Sequence, residues 1–242
     1  MCISFVYLES DDASPYHLIM GSNRDEFFDR PTLRAHFWED MPNVLAGRDL
    51  SGNGTWLGVH ACDNATDFRV GLLTNHRELD PPEGICLPSR GCLVTDFLAG
   101  DEDPRAYSES LDVDKFSGFN LIVGDIDELY YVSNRADSVK QLKQGVVHGV
   151  SNGSLDDNWF KVEKGKLLFE KAIKEGISSI VKNEKIEPEK DMIDSLFRVM
   201  QDDEKLELAS NDDSITGVFD RESEYNLSSI FVNRFELSNG KQ

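Results

Sequence analysis

Gly21-Ser22-Asn23-Arg24-Asp25-Glu26-Phe27-Phe28-Asp29-Arg30-Pro31-Thr32 is the stretch on which the fold turns. It begins where an apolar run, Tyr16 to Gly21, ends. A first apolar run, Ile3 to Leu8, lies just upstream, across the acidic turn Asp11-Asp12-Ala13-Ser14-Pro15. Two apolar runs around such a turn predict a β-hairpin. The strand that opens at Cys2 is expected to be central, with the strand carrying Asn23 to Asp25 beside it. Ile3, Phe5, Leu18 and Met20 are expected to contribute to its faces.

Working outward, further strands are predicted at Thr55 to His60, Arg69 to Thr74, Asn120 to Asp125, Leu129 to Ser133 and Val146 to Val150. Gly52-Asn53-Gly54 is a turn signal just ahead of Trp56. Helical spacing is clearest over Trp159 to Ile180, where Phe160, Val162, Leu167, Leu168, Ile173 and Ile177 recur near a 3.6 period. Asp156 or Asp157 is expected to cap that helix. Shorter helices are predicted at Arg90 to Leu98 and Asp191 to Met200, with Asn183 to Lys190 as a polar connector. One more strand is predicted late, at Ser228 to Val232. Strands first and helices afterwards argue for an α+β arrangement rather than a doubly wound βαβ order. With no internal repeat or low-complexity tract, residues 1–242 are read as a single domain.

Composition narrows the class. Hydrophobic residues make up 39% and aromatics 10%, enough for a packed core. The formal net charge is −20 and the pI is near 4.5, which repels phosphate backbones and argues against nucleic acid as a partner. No run approaches the ~18 to 20 apolar residues of a membrane span, so no transmembrane segment is expected. The first apolar run has no basic flank and reads as neither signal nor transit peptide. A cytoplasmic setting with reduced thiols follows as the expectation, and the sequons at Asn53, Asn64, Asn152 and Asn226 are read as chance matches. The four cysteines, 2, 62, 86 and 92, contain no Cys-x-x-Cys pair, and no metal site is predicted.

Cys2 stands apart because it follows the initiator. A small side chain at position 2 suits methionine removal, which would put a thiol and an α-amine on one residue. That amine has an ordinary pKa of about 7.7 to 8, so it can take the thiol proton near neutral pH. Taken by position alone, the cysteine is a weak signal.

The Asn23-Arg24-Asp25-Glu26 stretch, preceded by Met1-Cys2 and followed by Arg30-Pro31, resembles the signature of the NRDE-domain family, the transport-and-Golgi-organization proteins. Gly54-Thr55-Trp56-Leu57-Gly58, Leu73-Thr74-Asn75, Gly118-Phe119-Asn120-Leu121-Ile122 and Gly149-Val150-Ser151-Asn152 are similar to further segments of that family. The resemblance covers residues 1 to about 235. It implies a four-layer αββα sandwich of the N-terminal-nucleophile hydrolase type, shortened at the C-terminus.

A more distant resemblance, to the choloylglycine-hydrolase and penicillin V acylase group, implies chemistry. On it Cys2 matches the nucleophile and Asp25 the carboxylate that receives the amine. Asn75 and Asn152 match two oxyanion-stabilising asparagines. Two departures stand out. Ser22 occupies the position of an expected arginine, with Arg24 two residues on, about 6.6 to 6.8 Å along a strand. A later arginine has no counterpart. A ligand pocket is correspondingly expected around Asn23, Arg24, Asp25, Glu26, Trp56 and His76.

Plainer readings stand beside these. Arg24, Asp25 and Glu26 also fit an ion-pair cluster closing a hairpin, and Asn75 and Asn152 fit backbone-bonding turn residues. Trp56 fits core packing and His76 a solvated loop. Three functions follow. The resemblance implies first a trafficking or homeostasis protein, linked to Golgi organization, protein secretion and the movement of haem out of mitochondria or other haem stores. Haem is then a transported ligand rather than a required cofactor, although no Cys-x-x-Cys-His motif is present. The alternatives are a cysteine amidohydrolase acting on a small N-acyl or lipid amide, and a lipid or acyl-thioester binding protein. Peripheral association with mitochondria or Golgi is part of the first expectation.

Overall fold

The computed structural model describes residues 2–11, 13–61, 68–78, 87–182, 186–207 and 219–235. The chain divides into two compact units. The first comprises residues 1–27, 144–151 and 155–242, and the second 28–143 and 152–154.

In the first unit, β1 (Cys2–Leu8), β2 (Leu18–Arg24) and β10 (Val147–Val150) form an antiparallel sheet in the order β10-β1-β2. The predicted hairpin is present, and its first strand is central. Alternation along β1 separates two faces. Ile3 and Phe5 project to one, where Ile19, Val147, Phe169, Ile173, Met192 and Met200 complete a buried cluster. Helices α3 (Phe160–Lys182) and α4 (Pro188–Met200) supply most of that cover. Gly165 of α3 sits over the Phe5 ring and Gly176 over Met192, where an added Cβ would collide in both cases. These two glycines set how closely α3 approaches the sheet and α4. Phe5 and Phe169 then stack with ring centroids 5.5 Å apart.

Three local expectations change here. Of the two cap candidates for α3, Asp156 commits its carboxylate instead to His148, Lys166 and the Gly149 N–H. Pro188 lies inside α4 rather than in the connector, at a first-turn position where a missing N–H is harmless. The late strand at Ser228 to Val232 is absent and the segment is a run of turns. Its hydroxyls bond backbone: Ser228 Oγ donates to Tyr225 O and accepts from the distant Leu206 N, and Ser229 Oγ donates to Phe231 O. A short helix, α5 (Arg221–Asn226), precedes it, capped by the Asp220 side chain.

The second unit is a seven-stranded antiparallel sheet in sequence order, β3 (Thr32–Phe37), β4 (Val44–Asp49), β5 (Leu57–His60), β6 (Arg69–Asn75), β7 (Phe119–Gly124), β8 (Leu129–Ser133) and β9 (Lys140–Gln141). Helices α1 (Gly91–Ala99) and α2 (Pro104–Ser110) cover it through Leu93, Val94, Phe97, Leu98 and Tyr107, against Val44, Ala46, Leu73, Leu121 and Val123. Each unit is a helical layer on an antiparallel sheet, so the protein is α+β. The sequence reading lacks β3, β4, β9, α2 and α5. Yet Asp103-Pro104 is a capping pair, and Asp103 accepts from the Arg105 and Ala106 N–H groups.

Candidate functional site

In the first unit, Cys2 pairs directly with Arg24 across β1 and β2, and Ser4 with Ser22. Residues directly opposite share a face, so Cys2, Ser4, Ser22 and Arg24 project from the side of the sheet away from Ile3 and Phe5. Ser22, standing where arginine was anticipated, is bonded to Ser4 with the two Oγ atoms 2.8 Å apart. Arg24 is therefore the cation opposite the thiol. It also reaches Glu26 at 3.4 Å. The carbonyl of Cys2 accepts from Ser151 Oγ at 2.7 Å, which fixes the start of the central strand.

Cys2 is half-buried, and burial of its sulfur pushes the thiol pKa up. The Asp25 charge pushes the same way, while the Arg24 charge and the Asp25 backbone N–H favour the thiolate. Burial likewise raises the Asp25 carboxyl, opposed by the amino-terminal charge and by Lys161. Lys161, in the first turn of α3, is only 2% exposed, and its Nζ donates to Leu227 O at 2.8 Å. No sequence signal marked it, because a lysine between Phe160 and Val162 reads as a solvated helix position.

Asn23 belongs to the other face. Its Nδ2 donates to Met200 O at 2.7 Å and to Ile230 O at 3.0 Å. One carboxamide thus fastens the end of α4 and the turn after α5 to β2. The charged run therefore has two jobs. Asn23 ties the scaffold, while Arg24 and Asp25 stand beside the thiol.

In the second unit, Asn152 is buried, and its Nδ2 donates to Asn75 O at 2.6 Å while its carbonyl accepts from Arg77 N at 2.6 Å. Asn75 itself, at the end of β6, is exposed. The two asparagines are brought together, with Asn152 holding the backbone of Asn75. Behind them lies a network that the sequence reading did not single out. Asn120 Nδ2 donates to Thr74 Oγ1 at 3.1 Å and to Gly153 O at 2.8 Å, and Tyr131 Oη donates to Asn120 Oδ1 at 2.7 Å. A polar residue inside the apolar Phe119-Asn120-Leu121-Ile122 run was the available clue, since a buried amide demands partners.

Trp56 is half-buried with its ring over Gly47 of β4, a packing role. His76 is half-buried beside Gly118, its backbone N–H bonded to the Gly118 carbonyl at 2.8 Å. Glu78 accepts from Gly118 N and from Arg135. Of the cysteines, Cys62 and Cys86 lie outside the described residues, and neither Cys2 nor Cys92 is in a disulfide. Among the described residues no group of three or more His, Cys, Asp or Glu is placed to hold a metal ion, and no helix is long and apolar enough to cross a membrane.

The fold and the site define an α+β protein whose central strand opens on a cysteine flanked by Arg24 and Asp25. The family model described as Transport and Golgi organisation 2 matches residues 1–240, and the chain belongs to that family. Similar relatives bear the same name. The mouse Transport and Golgi organization 2 homolog is 33% identical over 187 residues, 72% of this chain and 65% of that protein. The human homolog is 34% identical over 185 residues, 72% and 64% respectively, and the Drosophila melanogaster protein 32% over 190 residues, 72% and 65%. The matched regions thus span about 65% of the relatives' own length. Among solved structures, a Caenorhabditis elegans N-acylethanolamine-hydrolyzing acid amidase ortholog is similar at a TM-score of 0.47 and 16% identity, covering 81% of this chain and 85% of that one.

Proposed function

We propose that this chain works in intracellular transport and homeostasis by holding a small amphipathic ligand at the Cys2–Arg24 end of the first unit's sheet. Haem is the first candidate, carried out of mitochondria or other haem stores, in a role that also serves Golgi organization and protein secretion. The observation that carries the reading is the position of Arg24 directly opposite Cys2 on a half-buried sheet end. A guanidinium there matches ligand carboxylates, such as haem propionates, in a geometry that lysine does not reproduce. Family membership supports the transport role.

Titration of the purified protein with hemin, followed by absorbance, tests it. Saturable binding that weakens in Arg24→Ala and persists in Cys2→Ala supports a carrier. Binding indifferent to Arg24 counts against this site.

A second reading rests on a separate observation, the place of Cys2 at the head of the central strand, with its carbonyl fixed by Ser151 Oγ at 2.7 Å. With methionine removed, Cys2 would carry both nucleophile and base, and the protein would act as a cysteine amidohydrolase on a small N-acyl or lipid amide. Hydrolysis of such an amide that disappears in Cys2→Ala would establish this reading over the first.

A further inference from the structure

Asp156 holds φ at 58°, a left-handed conformation that is uncommon outside glycine. An aspartate there makes bonds that glycine, the easier residue at such a φ, would lack. Oδ2 accepts from His148 Nδ1 at 2.7 Å, while Oδ1 accepts from the Gly149 N–H at 2.9 Å and from Lys166 Nζ at 2.6 Å. The backbone closes the same loop, with Asp156 N donating to Gly149 O at 2.8 Å. One carboxylate therefore staples β10 to α3, and residues 149–156 are folded back on themselves. Ser151 lies inside that loop.

On the β10 side, the register of β1 runs from Ser4 opposite Val150 to Tyr7 opposite Val147. Cys2 lies beyond the last of these pairs, and there the bond is supplied by a side chain, Ser151 Oγ donating to Cys2 O at 2.7 Å. We propose that Asp156 is a positioning residue for the Cys2 centre, closing the 149–156 loop onto β10 so that Ser151 stays on the Cys2 carbonyl. The groups that face its carboxylate are the His148 ring from β10 and the Lys166 ammonium from α3. Both favour the ionised form, which persists through the neutral range. The staple is therefore a fixed brace on the head of the central strand rather than a switch near neutral pH.

The inference rests on the reading that this end of the sheet is the working site, but its test needs neither ligand nor turnover. Alkylation of Cys2 and Cys92 by iodoacetamide is followed peptide by peptide, by mass spectrometry, in the native wild type, Asp156→Gly, Ser151→Ala and Ser151→Ala/Asp156→Gly. Cys2 alkylation should quicken by roughly tenfold in Asp156→Gly, the local opening expected when charge-assisted hydrogen bonds are lost. Cys92, in the second unit, should keep its rate. Glycine suits the left-handed φ, so a residue that served only the turn would leave Asp156→Gly like the wild type. Once Ser151→Ala has released the Cys2 carbonyl, Asp156→Gly should add little, because both act through one bond. A Cys2 rate unchanged in Asp156→Gly, fully additive effects of the two substitutions, or equal quickening of Cys2 and Cys92 would each overturn the proposal. Where Asp156→Gly does not fold, Lys166→Met cuts one arm of the staple, leaves the His148 and Gly149 bonds, and is judged by the same three outcomes. Failure of the hemin or amide assays would leave these readouts intact and would fall on the functional reading alone.

Discussion

Cys2 and Arg24 face each other across the β1–β2 pair, so thiol and guanidinium project from the same side of the first unit's sheet. Everything around them is arranged to keep that register. Ser151 holds the Cys2 carbonyl, the two serines one pair further in are bonded to each other, and Asn23 locks the opposite face to α4.

Replacing Asn23 with Ala should be costly although it removes no apolar contact. Two backbone carbonyls, of Met200 and Ile230, lose their amide donor. A loss of about 1–3 kcal/mol is expected in urea unfolding, because part-buried acceptors are left without that partner. Hydrogen exchange should show α4 and residues 227–231 loosening first. A variant as stable as the wild type would show that the amide carries no structural load.

Asp156 supplies a pH-dependent staple. Against the burial that raises it, His148, Lys166 and the Gly149 N–H bring its carboxyl down to about 2. The folded-state value lies below the unfolded one, so the stabilisation is present above pH ~4 and is lost as pH falls towards 2. The shift corresponds to about 2 kcal/mol at neutral pH. Asp156→Asn should lose that increment at pH 7 and converge with the wild type at low pH. Parallel stability curves from pH 7 to 2 would contradict the assignment.

Tyr131→Phe tests the network behind Asn75 and Asn152. Losing the hydroxyl deprives the buried Asn120 Oδ1 of a donor at 2.7 Å. A cost of about 1–3 kcal/mol is expected in chemical denaturation. Increased exchange at Gly153 and Asn152 should accompany it, since Asn120 also holds the Gly153 carbonyl. Unchanged exchange at that loop would mean that Asn120 does not depend on Tyr131.

Gly165→Ala should destabilise by overpacking, because the new methyl would enter the Phe5 ring. About 1–3 kcal/mol is the usual range. Phe5→Leu in the same chain should recover part of it, a compensation that a simple helix-propensity effect would not produce.

What the sequence made legible follows from the range of the interactions. The opening hairpin and α3 were readable because alternation and a 3.6-residue period are local signals. The edge strand β3 was missed although Leu33, Ala35 and Phe37 alternate with Thr32, Arg34 and His36, a period-2 pattern whose apolar side the nearly fully exposed strand does not bury. Ser228 to Val232 looked like a strand by composition, but the segment turns, with Ser228 Oγ bonded to Tyr225 O and Leu206 N and Ser229 Oγ to Phe231 O. At the site, Cys2, Arg24 and Asp25 were legible as a motif. The part played by Asn23 was not, because its two partners lie 177 and 207 residues away. Lys161 was hidden for the same reason, its partner Leu227 being 66 residues on.

The most direct measurement is hemin binding by the wild type, Cys2→Ala and Arg24→Ala, run beside an amide-hydrolysis assay on the same preparations. A carrier holding ligand carboxylates through Arg24 should keep its affinity in Cys2→Ala. It should lose about 10- to 100-fold in Arg24→Ala, the worth of a charge-assisted hydrogen bond, and show no amide turnover. Amide hydrolysis by the wild type that vanishes in Cys2→Ala, with hemin affinity untouched by Arg24→Ala, would contradict the carrier and make Cys2 a nucleophile.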